Sequence, residues 1–374
     1  MKVFLKRGKI LFFVMVMLCS VILSAGCGFK DIDKRIFIVA IGLDYTKNET
    51  KPYRVILKLA IPSGTAKDST GPRYTYLTKE SATLAEAVRI LKTHIDKELD
   101  FGQAKMIVLG ENLLHRDMEK DIDFFLRRRD IQFISWMAIG RPTAEKVLKT
   151  EPSSEMAGSN ALFNIFSGIG TESGYIVTTY LFDFRRRLLE PGMDAIVPII
   201  ETNKKKTKFI INKAVVFKDH KEKVELTADQ TKDYNTLSGN AEKVDVKVKK
   251  KGLDFALSVD TVKVKYKILT PANKTPVLKM DIKMEGIVEE SKDRLPPSNM
   301  DTYSKYAGEL SKKRLTAFLK MLQKNQVDPL GFGLRYQATH LHTRDTYAEW
   351  KQIYPHLKFD VSVKTTVKSV GTVE

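Results

Sequence analysis

Apolar residues recur along this chain with two different periods, and each period predicts its own kind of element. Residues 36–41 form a continuous apolar run, which is typical of a buried strand. In residues 53–59 apolar and polar side chains alternate, which predicts a second strand with one face in water. The polar stretch 46–51 lies between the two runs, so we expect a hairpin.

The chain then alternates between helical and strand patterns. Thr83 and Glu86 form a capping-box pattern ahead of apolar residues that share one helical face as far as Ile95. Helical spacing returns in residues 117–129, and Pro142 is placed to open a further helix. Short apolar runs predict strands at residues 105–109 and 132–139. This alternation predicts an α/β-type domain that extends to about residue 200.

The second half is rich in strands whose side chains alternate between apolar and polar. These predicted strands cover residues 209–217, 223–226, 262–268, 278–284 and 359–363. One long helix is expected at residues 301–324. Its apolar stripe is Tyr303, Tyr306, Leu310, Phe318 and Leu322. A sheet that is wet on one face and covered by a helix on the other makes the whole chain α+β in class. Between the halves, the polar stretch 198–208 indicates a linker.

The first 27 residues consist of a basic start, a short apolar run and a small-residue ending. The apolar run, residues 10–23, is shorter than the roughly 20 residues of a membrane-spanning helix and fits a signal peptide. Ser24-Ala25-Gly26 leads directly into Cys27, which resembles the lipobox of bacterial lipoproteins. That resemblance implies cleavage between Gly26 and Cys27 and a tether over residues 27–35. A plain secretory signal and an uncleaved helix ending near Gly26 are the alternatives.

Lipidation would place an S-diacylglycerol and an N-acyl group on Cys27. Cys19 is a weaker candidate than Cys27 because Leu18, which is not small, precedes it. A diacylglyceryl group brings two acyl chains, which is enough for stable anchoring in membrane lipid. Once residues 1–26 are removed, Cys27 is the only cysteine left. We therefore expect no structural disulfide and no cysteine-based zinc site.

Charge is spread unevenly along the chain. The 374 residues carry 63 Lys and Arg against 45 Asp and Glu, a net charge of +18. Residues 201–374 hold 34 basic and 22 acidic residues, so the second half carries most of the excess. Export would separate the protein from nucleic acid, and no nucleic-acid partner is expected. One hypothesis places the lysines of the C-terminal strands toward anionic lipid or an acidic partner.

Candidate chemistry is sparse. On a strand, His340 and His342 would share one face with Asp345 nearby, which suits a metal ion. The alternative is a pair of surface imidazoles in a loop, and we predict no metal and no cofactor. Residues 167–174 lack the Lys-Ser/Thr ending of a phosphate-binding loop. The sequence contains no nucleophile elbow and no paired carboxylates, so it predicts no enzyme.

Two arginine triplets occur in predicted helical contexts, Arg127–Arg129 and Arg185–Arg187. Successive residues on a helix lie about 100° apart, so neither triplet can form a single face. Solvated or locally paired arginines are one interpretation. Recognition of a partner is the other, and both stay open here.

A series of motifs, in order along the chain, resembles the Ger(x)C lipoproteins, the C subunits of bacterial spore germinant receptors. The strongest is Asp328-Pro329-Leu330-Gly331-Phe332-Gly333, followed by Trp350, the strand 359–363 and Gly371. Weaker similarities are at residues 40–44, 83–87, 104–110, 129–130 and 214–218. The tether departs from the family, since Gly28-Phe29 stands where many members have Trp-Asp.

This resemblance implies a non-catalytic subunit that is held by Cys27 on the outer face of the spore inner membrane. Its partners would be the receptor A and B subunits, and it would be needed for receptor assembly and the response to germinants. The family fold implies three successive α+β domains, each a sheet packed with helices. We place them at residues 36–200, 201–256 and 257–374.

A solute-binding lipoprotein of an ABC transporter is the alternative function. Such a protein would have two similar lobes joined by crossing strands, whereas the two halves of this sequence differ. Its neighbouring genes would encode a permease and an ATPase rather than receptor A and B subunits.

Overall fold

The structure is a computed structural model. It describes residues 12–17, 20, 32–61, 74–116, 118–152, 161–167, 173–205, 207–218, 222–239, 243–250, 252–340 and 345–371. The predicted cleavage and lipidation residues Gly26 and Cys27 lie outside the described residues, as do Cys19 and His342. Within the described part of the chain, no helix is both long and apolar enough to cross a membrane.

The larger of two sheets is built from the first 226 residues. Its strands are β1 (Arg35–Tyr45), β2 (Tyr53–Ala60), β3 (Tyr74–Ser81), β4 (Glu98–Asp100), β5 (Met106–Gly110), β6 (Trp136–Arg141), β7 (Ala195–Thr202), β8 (Phe209–Lys218) and β9 (Glu222–Leu226). Their order is β3-β2-β1-β5-β6-β7-β8-β9, and β4 pairs with β1. The four central strands, β1, β5, β6 and β7, run parallel, and the outer strands pair antiparallel.

Helices cover both faces of this sheet, because its central strands are apolar on both sides. Those on one face are α1 (Leu84–Leu91), α2 (Met118–Arg127) and α5 (Leu181–Leu189). Those on the other are α3 (Ala144–Leu148) and α4 (Ala161–Phe166).

The smaller sheet has the order β10-β11-β12-β13. Its strands are β10 (Val244–Lys250), β11 (Leu253–Leu269), β12 (Val277–Ser291) and β13 (Lys358–Ser369). The accompanying helices are α6 (Ala228–Ser238), α7 (Met300–Lys324), α8 (Phe332–Thr339) and α9 (Thr346–Ile353). One apolar core joins β7, β8 and β9 of the larger sheet to this second unit, with Tyr234 of α6 in it. The predicted α+β class is therefore confirmed.

The close approach of α3 to β1 explains the first of the motif similarities. Asp44, at the end of β1, accepts hydrogen bonds from the backbone N–H groups of Ala144 (2.7 Å) and Glu145 (3.0 Å). It thereby caps the start of α3 in addition to the N-cap Thr143. A Cβ on Gly42 would lie 3.3 Å from the Cβ atoms of Ala144 and Ile56, so glycine lets α3 pack close to β1. Burial raises the pKa of Asp44, while these two backbone hydrogen bonds lower it.

Several predicted elements are confirmed with changed ends. The helix capped by Thr83 ends at Leu91, and Ile95 lies beyond it in extended backbone. The predicted strand 132–139 begins only at Trp136, because Ser135 N–H donates to Gln132 O and closes a turn. The long helix runs from Met300 to Lys324 as expected. On that helix, however, Leu310 of the predicted stripe is exposed, and its neighbour Ser311 is buried instead.

The linker predicted at 198–208 is wrong, because this segment forms the end of β7 and a tight turn into β8. Ile199 and Ile200 are fully buried, and the Asn203 side chain accepts the Thr207 N–H at 2.7 Å to close the turn. The domain boundaries predicted at 200/201 and 256/257 fall inside β7 and β11. The division into three domains stays a prediction.

Candidate functional site

The candidate site is the joint at which the motif around Asp328 meets the turn before β7. We use "the joint" for residues 187–194 together with residues 326–337. Three hydrogen bonds cross it: Asp194 N to Asp328 O (3.0 Å), Leu334 N to Gly192 O (2.8 Å) and Gln337 Nε2 to Pro191 O (2.7 Å). Two more run from Arg187 Nη1 to Pro329 O (2.9 Å) and from Asp328 N to Asp194 Oδ2. Because these bonds link segments more than 130 residues apart, the joint fastens the two sheets together.

Asp328 is the central polar residue of the joint and is only 5% exposed. Its Oδ2 accepts the backbone N–H of Gly333 at 2.7 Å, at the start of α8. Its own N–H donates to Asp194 Oδ2, so two carboxylates lie close together. The pKa of Asp328 is raised to about 7, chiefly by burial and in smaller part by the negative charge of Asp194, against the N–H groups of the α8 start, which lower it.

Two glycines allow the two backbones of the joint to touch. A Cβ on Gly333 would lie 2.5 Å from Trp350 Nε1 and 2.7 Å from the Cα of Gly192. Gly192 has a φ of +92°, and its Cβ would lie 2.6 Å from the carbonyl carbon of Gly333. Any side chain at either position would therefore push the two segments apart. The glycine at 333 in the motif is explained by this contact.

Aromatic side chains line the joint on the side of α8 and α9. The rings of Tyr336 and Trp350 lie 5.4 Å apart, and those of Trp350 and Tyr354 lie 5.2 Å apart. Phe332 packs edge-on against Tyr266 of β11, at 5.1 Å between ring centres. The buried Tyr354 hydroxyl donates to Val327 O at 2.7 Å, next to Asp328. The motif residues Phe332 and Trp350 therefore act as packing residues of the joint.

An open pocket of about 270 Å³ lies over the joint, with Asp194, Asp328 and Trp350 in its wall. A second pocket of about 190 Å³ shares several of these wall residues. The pockets combine two carboxylates with the ammonium groups of Lys218 and Lys351. Charged and aromatic side chains therefore line the pockets, but the described residues bring no nucleophile and base together here.

A second polar cluster surrounds α6, whose residues 231–237 are all buried. Lys232 Nζ donates to Asp245 Oδ2 of β10 (3.0 Å) and to the Tyr175 hydroxyl (2.9 Å). Burial acts to raise the pKa of Asp245, but the hydrogen bonds from Lys232 and Tyr175 outweigh it and lower that pKa. Asp233 lies 2.7 Å from Arg314 Nε of α7 as an ion pair.

Sequence reasoning missed α6 and the turn 191–194. The signal for α6 was present, because Thr227 and Gln230 form a capping box and Gly239 ends the helix with a φ of +77°. This helix has polar residues on every side, so its sequence shows no apolar stripe from which a helix could be predicted. For the turn, Pro191-Gly192 was the local signal, but its partner 140 residues away could not be deduced.

The histidine hypothesis is not supported by the described residues. His340 stacks on Tyr336 with 4.2 Å between the rings, and Asp345 caps α9 by accepting the N–H of Ala348 at 2.9 Å. His342 lies outside the described residues. No group of three or more His, Cys, Asp or Glu side chains that could hold a metal ion occurs in the part of the chain that the structure covers.

The arginine triplets are mostly paired within the chain. Arg127 pairs with Asp123, and Arg128 pairs with Asp130. Arg186 and Arg187 both bond Asp183 at 2.7 Å, and Arg187 is also part of the joint. Arg129 and Arg185 are exposed. Of residues 167–174, which were compared above with a phosphate-binding loop, 168–172 lie outside the described residues.

Lysines form a continuous row on the exposed face of the smaller sheet. Strand register places Lys263 opposite Lys283, and Lys283 opposite Lys364. All three side chains are exposed. Like charges directly opposite each other on a sheet are destabilising, so this row costs stability in the isolated chain. The basic surplus of the second half is therefore concentrated, in part, on one surface.

Reversing one charge of this row should stabilise the protein. We expect Lys263→Glu to raise the free energy of unfolding by about 0.5 kcal/mol in low salt, because the introduced carboxylate would pair with Lys283. Lys247→Glu is the matched control, since exposed Lys247 lies opposite Ala256 and should change stability little. Urea unfolding at low and high salt measures both variants. Equal effects of the two substitutions would contradict the role assigned to the row.

Residues 28–202 match the family described as spore germination protein N-terminal domain, and residues 212–371 match the one described as spore germination B3/GerAC-like, C-terminal. Spore germination protein GerQC of Bacillus cereus is 22% identical over 281 residues, 74% of this chain and 77% of that protein. Spore germination protein KC of Bacillus subtilis (strain 168) is 22% identical over 392 aligned positions, 95% of each chain.

The crystal structure of the GerBC protein superposes on this chain with a TM-score of 0.58. The superposition covers 88% of this chain and 98% of that one, at 16% sequence identity. At this level of identity the likeness concerns the fold alone. The two family matches together include both sheets except the first three residues of β8.

Proposed function

Because this chain belongs to the GerAC-like family of spore germination proteins, we propose that it is the lipid-anchored C subunit of a spore nutrient-germinant receptor. The observation that carries the proposal is the match of both family domains, in order, from residue 28 to residue 371. The match begins directly after Cys27, the residue at which the lipobox resemblance places the mature N-terminus.

The proposed role is non-catalytic and consists of assembly with the receptor A and B subunits at the outer face of the spore inner membrane. The polar joint supports the non-catalytic part of the proposal, because its carboxylates accept backbone N–H groups within the fold. The alternative of a solute-binding lipoprotein is disfavoured. The described residues form a nine-stranded and a four-stranded sheet of different order, which are not two similar lobes.

Co-purification tests the proposed role directly. The protein, expressed with the receptor A and B subunits encoded beside it, should be recovered with both, and crosslinks should map onto its surface. Recovery with a permease and an ATPase in place of these subunits would support the solute-binding alternative. Recovery without any membrane protein would contradict both functions.

The anchor is tested by substitution of the lipidation residue. We expect Cys27→Ala to move the protein from the membrane fraction to the soluble fraction and to prevent receptor assembly, because two acyl chains are lost. Cys19→Ala is the matched control and should leave fractionation unchanged. Full membrane retention of the Cys27→Ala protein would show that another feature, such as an uncleaved leader, holds it.

A further inference from the structure

Four apolar side chains form an exposed cluster at one edge of the larger sheet, which we name the apolar tip. Its members are Phe133 (50% exposed), Ile134 (55%), Tyr180 (36%) and Phe182 (46%). The rings of Tyr180 and Phe182 stack at 5.7 Å, and Tyr180 also stacks on Trp136 at 5.8 Å. Exposed large apolar groups that occur singly are ordinary, whereas a contiguous group marks a surface that contacts something.

The tip is held firmly, so its exposure is a feature of the fold. Phe182 N–H donates to Phe133 O at 3.1 Å, and Leu181 N–H donates to Ser135 O at 2.8 Å. The Ser135 hydroxyl donates to Ala104 O at 2.6 Å, and Gln132 Nε2 donates to Gly102 O at 2.7 Å. These bonds tie the turn before β6 to both the start of α5 and the turn before β5. Phe133 and Ile134 are thereby presented on a rigid support.

The tip lies at the edge where the tether enters the fold. β1, β5 and β6 are parallel, so their N-terminal ends share this edge. Arg35, the first residue of β1, lines a pocket of about 380 Å³ together with residues 98–102 and 129–132. Phe133 directly follows that pocket wall. The apolar tip therefore lies next to Arg35, where the tether joins the fold.

The length of the tether limits how far this edge can lie from the bilayer. Eight residue steps separate Cys27 from Arg35, and at about 3.5 Å per residue they span at most roughly 28 Å. Exposed arginines accompany the tip: Arg129 lies in the wall of the pocket, and Arg185 lies one helical turn from Phe182 on α5. Aromatic and apolar groups flanked by cations are the combination that suits a lipid headgroup boundary.

We infer that the apolar tip inserts into the headgroup boundary of the bilayer to which Cys27 is anchored, with Arg129 and Arg185 near the lipid phosphates. This inference rests on the proposed anchor at Cys27. It adds a second attachment, and two attachments fix the orientation of the larger sheet relative to the membrane. An anchor at Cys27 alone would limit the distance of the larger sheet from the membrane but would not fix its orientation.

An environment-sensitive fluorophore at the tip tests the inference on the full-length lipoprotein. An Ile134→Cys protein, labelled through its thiol and reconstituted in phosphatidylcholine/phosphatidylglycerol vesicles without other subunits, should show blue-shifted emission. Lipids that carry a quencher on the acyl chain should remove most of that emission. Ile287→Cys is the matched control, because Ile287 is also exposed, at 45%, but lies on β12 of the smaller sheet. Its emission should be unaffected by the lipid quencher.

The same experiment separates failure of the anchor from failure of the tip. A lipidated Cys27 has no free thiol, so labelling of Cys27 itself, or loss of the protein from the vesicles, would count against the anchor. Protein that stays on the vesicles while the Ile134 probe is neither shifted nor quenched would overturn the insertion of the tip. An emission shift that occurs only after receptor A and B subunits are added to the vesicles would also overturn the insertion of the tip. It would assign the tip to a protein interface.

A loss-of-contact variant provides a second readout. In the Cys27→Ala background, Phe133→Ser/Ile134→Ser should weaken the residual binding to these vesicles by roughly tenfold or more, because two half-exposed apolar side chains no longer leave water. Equal binding of the double variant and its parent would contradict the inference. Both substitutions lie on the exposed turn, so circular dichroism should confirm an unchanged fold.

Discussion

Replacing Gly192 with alanine should lower the free energy of unfolding by about 3 kcal/mol, through backbone strain and steric overlap together. Gly192 has a φ of +92°, which side chains rarely adopt, and its new Cβ would lie 2.7 Å from the backbone N of Leu334. That atom belongs to α8 and cannot move away unless the joint opens. Urea unfolding of the purified chain measures the change.

Gly252→Ala is the matched control for this experiment. Gly252 also has a positive φ, +76°, but a Cβ there would have no atom within 4 Å. It should therefore lose only about 1 kcal/mol, the part due to backbone conformation. Trp350 packs against Gly333 of the joint, so its fluorescence in a Trp136→Phe background would report opening of the joint itself. Equal losses for the two glycines would show that the contact at Gly192 does not hold the sheets together.

The buried carboxyl of Asp328 should make stability depend on pH in a direction opposite to that of an ordinary paired carboxylate. Its pKa is raised from 3.8 to about 7, chiefly by burial, so the native state holds a proton that the unfolded chain has released. The contribution of Asp328 to the free energy of unfolding is fully present below about pH 4 and is lost as the pH rises toward 7. Each unit between the two pKa values is worth about 1.4 kcal/mol, so the loss amounts to several kcal/mol.

Asp328→Asn tests this dependence. The amide oxygen can still accept the Gly333 N–H, but it does not titrate, so the variant should lose less stability than the parent between pH 4.5 and 7.5. Asp194, Tyr266 and Tyr354 are the other titratable groups electrostatically coupled to this site, and both proteins retain them. The difference between the two unfolding curves therefore isolates Asp328. Parallel curves across the whole range would show that Asp328 is ionised in the native joint.

Local patterns predicted most elements correctly, and the failures have identifiable causes. The hairpin of β1 and β2, the long α7 and three of the four strands of the smaller sheet follow directly from periodicity, whereas β10 was missed. The polar helix α6 escaped because its partners, Asp245 and Arg314, lie on other elements and are invisible to a local pattern. The prediction of a linker at 198–208 was wrong because a polar turn between two strands of one sheet has the same composition as a linker between domains.

The candidate site was predicted in part. The residues of the motif at 328–333 and Trp350 were recognised by resemblance, but their purpose was not. Only the folded chain shows that Gly333 faces Gly192 and that Asp328 meets Asp194. No signal near residue 192 points to a partner at residue 333, because the contact depends on the approach of two backbones, which carry no side-chain pattern.

The sequence by itself determined the α+β class, the basic second half and the family resemblance. All of these depend on order and composition along the chain, which a local pattern can carry. Tertiary structure alone decided that β8 and β9 complete the first sheet, that the lysines align in one row, and that Phe133 and Phe182 form one exposed surface. Those features depend on strand register and on burial. Register and burial are properties of the whole packed molecule, because a strand pairs with the neighbour that lets both bury their apolar side chains in one core.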